Sequence, residues 1–337
     1  MAHRGRRQQE RRAADSVTTP MPEFDLIARI HARAASRGDV VLGIGDDAAI
    51  LRLPSDRDLV VAMDTLNMGV HFPEDTAPAD IGWKALAVNL SDLAAMAATP
   101  AWCTLSLSLP QSDAVWVDDF LDGFLALAAE HEVALVGGDT TRGPLSVCVT
   151  IHGLVEPRGA LRRKGARVGD DVWVTGTLGD AAAALRQWQA GDAIDPTLRA
   201  RLDRPTPRVA AGQALAGIAT ACIDVSDGLL ADLGHVCRAS RVGAALDVDA
   251  LPASDALRDA FDRETARTLQ SAGGDDYELC FTAPKTARLA VESALFARDV
   301  PATRIGRVTA DAGLVVLHDA DGGAWSPPRR GYEHFGG

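Results

Sequence analysis

Six aspartates in this chain stand where side chains do chemistry. Asp47, Asp64, Asp139, Asp224 and Asp227 sit at the polar ends of apolar β-like runs, and Asp92 lies on a helix that reads as apolar on nearly every face. Singly, each fits a turn or a helix cap, and Ser226 and Asp227, just before Leu229, stand where caps belong. As a set they mean more. A fold that gathers so many carboxylates without nearby lysines must neutralise them. Hard cations such as Mg²⁺, held by carboxylate oxygens together with substrate phosphates, are the usual means.

The stretch Val40 to Leu51, VVLGIGDDAAIL, admits a competing reading. Gly43, Gly45 and Ala48 fit the G-x-G-x-x-G/A dinucleotide fingerprint, and Asp64 follows about twenty residues on, where a ribose-binding acid belongs. Such a loop must open a helix whose N–H groups face the pyrophosphate. Here Arg52-Leu53-Pro54 interrupts instead, and a β run, Asp58 to Met63, begins. Two aspartates aimed at a pyrophosphate also repel it unless a cation lies between them. The loop is therefore read as a metal-phosphate site, with Asp47 as ligand and Asp46 shaping the turn. No Walker loop, H-E-x-x-H, G-x-S-x-G or kinase H-R-D and D-F-G set is present. Among the histidines, His71 is singled out because it lies in the loop after Asp64.

The chain must supply elements to hold these groups. With 337 residues, 47% of them hydrophobic, it is long enough for two domains. A net charge of −12 argues against nonspecific nucleic-acid binding, so phosphates here call for metal ions. Five scattered cysteines with no C-x-x-C pair suggest buried thiols in a reducing compartment, hence a cytoplasmic location. No apolar run reaches the roughly eighteen residues of a membrane span. Residues 1–20 are Arg-rich, lack the apolar core of a signal sequence, and read as a disordered basic tail.

The pattern is mixed α/β. Helical spacing covers Glu23 to Ala35. Pro78 opens a long buried helix in which Asn89 and Asp92 share a face. A strand over Trp102 to Leu109 precedes a helix, Asp113 to Glu130, broken at Asp122-Gly123. Val133 to Val136 is a strand ending in Gly137-Gly138-Asp139, and Ser146 to Leu154 another. The Gly- and Arg-rich stretch Glu156 to Gly169 marks the junction, giving an N-terminal domain over 21–155 and a C-terminal one over 156–337. Beyond it, strands are expected at Val172 to Thr175, Cys222 to Val225, Ala244 to Val248 and Cys280 to Thr282, with helices at Asp180 to Gln189, Pro207 to Ala219, Leu229 to Ala239 and Thr286 to Ala297. Arg304 to Val308 and Leu314 to Leu317 read as strands paired with each other.

Several segments carry a family resemblance: LGIGDDAA from Leu42, KALAVNLSDLAAM from Lys84, LVGGDTTRGPLS from Leu135, VTGTLGD from Val174, RPTPR from Arg204, IDVSDGLLADLGH from Ile223, GGDDYELCF from Gly273 and the closing GYEHF from Gly331. The chain resembles the thiamine-monophosphate kinases, within the superfamily that includes aminoimidazole-ribotide synthetase, from about residue 22 to residue 335. The resemblance implies a two-domain α/β architecture whose N-terminal sheet pairs with that of a second copy as a barrel. It implies transfer of the ATP γ-phosphoryl group to thiamine phosphate with several Mg²⁺ ions. Asp47, Asp64, Asp92, Asp139, Asp224 and Asp227 would hold the metals. Gly138, Asp139, Arg163, Ser226 and Asp122 would approach ATP, and His71, Asp275 and Arg329 the thiamine phosphate.

Three positions depart from that pattern. Ala62-Met63 replaces a usual hydroxyl pair before Asp64, Asp275 replaces a usual Glu, and Arg329 replaces an aromatic. Other acceptors within the superfamily and a catalytically silent nucleotide-binding regulator are the alternative readings. The first is disfavoured for the cysteine-dependent members, because no Cys lies near the early Gly-rich loop or at the end of the sequence.

Overall fold

The computed structural model describes residues 22–333, so the Arg-rich segment 1–20 and the closing His334-Phe335 lie outside the described residues. Helix α1 (Glu23–Arg33) is followed by a small ribbon of β1 (Val40–Leu42) and β2 (Ile50–Leu51). A four-stranded sheet comes next, built from β3 (Asp58–Asn67), β4 (Thr99–Leu109), β5 (Ala134–Arg142) and β6 (Ser146–Val155) in the order β3-β6-β4-β5. Strand alternation divides β3 cleanly. Leu59, Val61 and Met63 face outward and are exposed, whereas Val60, Ala62, Asp64 and Leu66 face inward.

Helix α2 (Pro78–Ala95) is the element about which the molecule is packed. Its all-round apolar sequence requires burial, and side chains on every side of it, from Ile81 to Ala95, are buried. Its neighbours come very close. A Cβ on Gly82 would lie 2.1 Å from the Phe120 carbonyl, and one on Gly123 would lie 1.7 Å from that of Ala79. Gly123 therefore does not break helix α3 (Ala114–Glu130), which runs through it; it is the bare spot where α2 and α3 cross. From the other half, Gly212 makes the same approach to the Ala94 carbonyl.

The second sheet has seven strands, in the order (by first residue) Ala324, Val315, Gly243, Ala302, Asp171, Leu279 and Ala221. In chain order its strands are β7 (Asp171–Thr175), β8 (Ala221–Asp224), β9 (Gly243–Asp247), β10 (Leu279–Ala283), β11 (Ala302–Thr309), β12 (Val315–His318) and β13 (Ala324–Trp325). Its helices are α4 (Asp180–Ala190), α5 (Pro196–Asp203), α6 (Val209–Leu215), α7 (Leu229–Ser240), α8 (Asp255–Ala260), α9 (Arg263–Ala272) and α10 (Arg288–Phe296). β11 and β12 are not paired with each other, contrary to the sequence expectation: β9 lies between them, antiparallel to β11 and parallel to β12. Largely buried β9 needs a partner on both edges for its backbone groups. One continuous core joins α2, α3 and the first sheet to Trp173, Leu215, Leu279 and Phe281 of the second half. All five cysteines are free thiols, four of them buried. No described helix is long and apolar enough to cross a membrane.

Candidate active site

Where the two halves meet around α2, a cavity of about 570 Å³ opens. Its wall includes Asp64, His71, Asp92, Arg163, Asp224, Ser226, Asp227, Asp275, Tyr277 and Tyr332. Eight of the residues singled out in the sequence thus share one space. Several are placed by identifiable hydrogen bonds. Asn89, fully buried on α2, accepts the Asp64 N–H at 3.1 Å and donates to the Ala85 carbonyl at 2.9 Å, fixing the strand to the helix. Two residues on, Ser91 donates its hydroxyl to Asp224 at 2.8 Å, and Asp92 reaches the cavity itself.

The loop after β8 is organised by a residue the sequence reading passed over. Asp232, in the first turn of α7, accepts the N–H groups of Ser226, Asp227 and Gly228 at 3.1 Å each, curling the loop around its own carboxylate. Its signal was legible as an acid in the first turn of a helix that follows a Gly-ended loop. The loop 274–277 is laid beside this turn by two hydrogen bonds, from the Asp275 N–H to the Ser226 carbonyl and from the Tyr277 N–H to that of Val225, both 2.8 Å. Asp275 and Tyr277 adopt positive φ, 67° and 50°, which turns both side chains onto the cavity wall. Tyr277 donates to Asp275 at 2.9 Å.

Electrostatics then dictate what the cavity requires. Burial, and behind it the charges of Asp224 and Asp64, push the Asp92 carboxyl from 3.8 up to about 8, against the pull of Arg163. Burial likewise raises Asp224 to about 6, partly opposed by the Ser91 hydroxyl, and Asp64, which also feels Asp227. Asp232 rises to about 7, through burial first and then through Asp224 and Asp227. Left to themselves, these carboxylates resist ionisation, Asp92 enough to keep its proton at neutrality, and ionising them together calls for cations. The donors are all hard oxygens, which suits Mg²⁺ better than softer metals. Among the described residues no three His, Cys, Asp or Glu side chains form a ready-made metal cage. The set fits ions whose remaining ligands are phosphate oxygens and water, the common habit of Mg²⁺.

Other predicted residues lie elsewhere. Asp47 is exposed in the turn, and its N–H donates to Asp46 at 2.8 Å, so Asp46 shapes that turn. Gly138 and Asp139 are within β5, because the strand continues to Arg142 rather than stopping at Val136. The reason is close parallel pairing to β4: a Cβ on Gly138 would come 1.8 Å from the Leu105 carbonyl. Asp122 is ion-paired with Arg33 of α1, and Arg329 is exposed in the final segment; neither lines the cavity. Of the departing pair before Asp64, Ala62 shares the inward face of Asp64 and Met63 is on the outward, exposed face. Lys84 was missed altogether. The cluster was expected to lack a nearby lysine, yet this side chain is buried behind the wall and donates to Asp275 at 3.1 Å.

The chain matches two family models, "AIR synthase related protein, N-terminal domain" over residues 45–155 and "AIR synthase related protein, C-terminal domain" over 167–319. It is 49% identical over 320 residues to the thiamine-monophosphate kinase of Escherichia coli strain K12, a match spanning 93% of this chain and 98% of that one. Against the crystal structure of thiamine-monophosphate kinase from Stenotrophomonas maltophilia K279a the identity is 54% and the TM-score 0.83, with 91% of this chain and 99% of that one covered. The structure of AaThiL complexed with AMPPCP and TMP aligns with a TM-score of 0.74 and 32% identity, over 95% of this chain and all (100%) of that one.

Proposed function

Because the chain belongs to the thiamine-monophosphate kinase family, we propose that it transfers the γ-phosphoryl group of ATP to thiamine monophosphate, giving thiamine diphosphate, by direct in-line displacement. The observation that carries this reading is the cavity itself, where Asp64, Asp92, Asp224 and Asp227 face one space together with Arg163, His71 and Asp275. Phosphoryl transfer asks for alignment and charge neutralisation more than covalent help. The acceptor is a phosphate oxygen, already largely deprotonated, so no strong general base is needed.

Asp64, Asp92, Asp224 and Asp227 would hold the Mg²⁺ ions, with Asp47 and Asp139 proposed as further ligands from outside the cavity wall. When bound, Mg²⁺ supplies charge neutralisation on the β- and γ-phosphates. Arg163 is the fixed cation on the wall, and its planar guanidinium can grip a phosphate with two hydrogen bonds. Ser226, Gly138 and Asp122 are proposed on the nucleotide side. His71, Asp275 and Arg329 are proposed for thiamine monophosphate. His71 is held in place because its Nδ1 accepts the Asn67 N–H at 3.0 Å.

The domain division is placed after residue 155, which the separate sheets over 58–155 and 171–325 support. A homodimer is proposed through the first sheet, supported by the outward row Leu59, Val61 and Met63 on its edge strand, apolar and exposed. The deciding assay incubates the purified protein with ATP, Mg²⁺ and thiamine monophosphate and resolves thiamine diphosphate chromatographically. Turnover only of unphosphorylated thiamine, or of an amidine ribotide, would overturn the assignment.

A further inference from the structure

Lys84 is only 1% exposed, yet its ammonium is neither on the surface nor among the four clustered aspartates. From the first turns of α2 it donates to the His71 carbonyl at 2.9 Å and to Asp275 Oδ2 at 3.1 Å. The other Asp275 oxygen takes the Tyr277 hydroxyl at 2.9 Å. Burying an ammonium is costly unless it is paired and hydrogen-bonded, and an apolar side chain of similar length would pack here without that cost. The charge therefore has a use at this point in the fold. It joins two wall segments that are far apart in the chain: the His71 segment, which follows β3 of the first sheet, and the 274–277 loop, which precedes β10 of the second.

We infer that Lys84 is a positioning residue for the acceptor. It sets the spacing between the His71 segment and the Asp275 carboxylate, and it offsets the charge of Asp275 from within the protein. The cavity is thereby divided. Asp64, Asp92, Asp224 and Asp227 depend on bound cations, while the Asp275 end arrives already neutralised and shaped, so that a phosphorylated acceptor meets a fixed wall there. This inference rests on the reading that thiamine monophosphate occupies the His71 and Asp275 end. Lys84 touches neither substrate; it acts through those two groups.

Full-length wild type, Lys84→Met, Asp275→Asn, the double variant and Tyr277→Phe are compared by steady-state kinetics with ATP and thiamine monophosphate varied separately. Losing two charge-assisted hydrogen bonds should raise the KM for thiamine monophosphate about tenfold or more in Lys84→Met, with the KM for ATP within about twofold. The double variant should fall clearly short of the sum of the two single effects, because Lys84 acts in part through Asp275. Equal rises in both KM values, a fall in kcat with both KM values unchanged, or additive effects in the double variant would overturn the inference. If Lys84→Met does not fold, Tyr277→Phe decides: a selective rise of about two- to threefold in the thiamine-monophosphate KM supports the inference, and no change overturns it. Absence of thiamine diphosphate with wild type is a separate result, which removes the functional reading and this inference with it.

Discussion

Asp92 gives the sharpest test of the site's electrostatics, because its effect on stability has an unusual sign. Its carboxyl is raised from 3.8 to about 8 in the folded protein. Between those values the folded state binds a proton that the unfolded state has released. Unfolding therefore releases a proton, and stability must fall as pH rises through this window. From pH 7 to pH 8.5 a single such group removes about 1 kcal/mol. Asp232, raised to about 7, and Asp224, raised to about 6, add smaller losses of the same sign, which the comparison of wild type with a variant at Asp92 largely cancels. His131, His152 and His235, all lowered by burial, change stability in the opposite direction but below their ordinary 6.5, and the buried thiols Cys103, Cys222 and Cys280, raised from 9.0, matter only at higher pH. The perturbation is Asp92→Asn, which keeps the shape and cannot ionise. Urea unfolding of the metal-free protein at pH 7 and pH 8.5 should show the wild type losing about 1 kcal/mol more than the variant across this range, with the variant the more stable of the two at pH 8.5. The same variant should be severely impaired in phosphoryl transfer. Mg²⁺ with ATP should stabilise the wild type at pH 8.5 far more than the variant. Equal pH dependence in the two proteins would refute the picture of mutually repelling, desolvated carboxylates.

Three further outcomes are expected. Glu278 is fully buried between Arg208, which it binds through both oxygens at 2.6 Å, and Arg201 at 2.8 Å; Glu278→Gln should cost about 3 kcal/mol or more in urea unfolding, because two guanidinium groups lose their counter-charge. Asp232→Ala leaves three backbone N–H groups without their acceptor, so the Ser226–Gly228 turn should loosen; kcat with ATP and thiamine monophosphate should fall at least about tenfold, while circular dichroism stays native. Gly123→Ala drives a methyl group into the Ala79 carbonyl and should cost about 2 kcal/mol or more by thermal or urea denaturation, whereas Gly191→Ala, where nothing lies within 4 Å, should cost only the strain of its positive φ.

How much of this was legible in the sequence varies with range. The long helix, the strand-end aspartates and the Gly-Gly-Asp-Asp-Tyr segment all announce themselves through local pattern, since period and residue type are properties of a short window. Helices α5, α8 and α9 went unseen because they are short and polar; the caps Asp195, Ser254 and Asp262 were their only local marks. The insertion of β9 between β11 and β12 is a matter of long-range pairing that no local window contains. Gly123 read as a helix break because its neighbour across the contact, the Ala79 carbonyl, is invisible in one dimension. Lys84 was hidden for a related reason: a lysine in an apolar run gives no hint that its partner lies 191 positions further on. Asp64, Asp92, Asp224 and Asp227 could be grouped from sequence because they share a context. The devices that hold them, Asn89, Ser91 and Asp232, are recognisable only once their hydrogen bonds are seen.

Helix α2 has one more consequence, for motion. It is walled on every side, and glycine contacts from both halves leave no slack at Gly82, Gly123 and Gly212. A rod so enclosed cannot tilt or slide without tearing a shared core, so opening the molecule like a hinge between its sheets would be prohibitive. Entry of substrates and escape of products therefore fall to the outer rim, where the closing stretch around Tyr332 lies, and not to the His71 and 274–277 segments that Lys84 ties together. The alignment of charge thus rests on a helix that the packing holds in place from both halves.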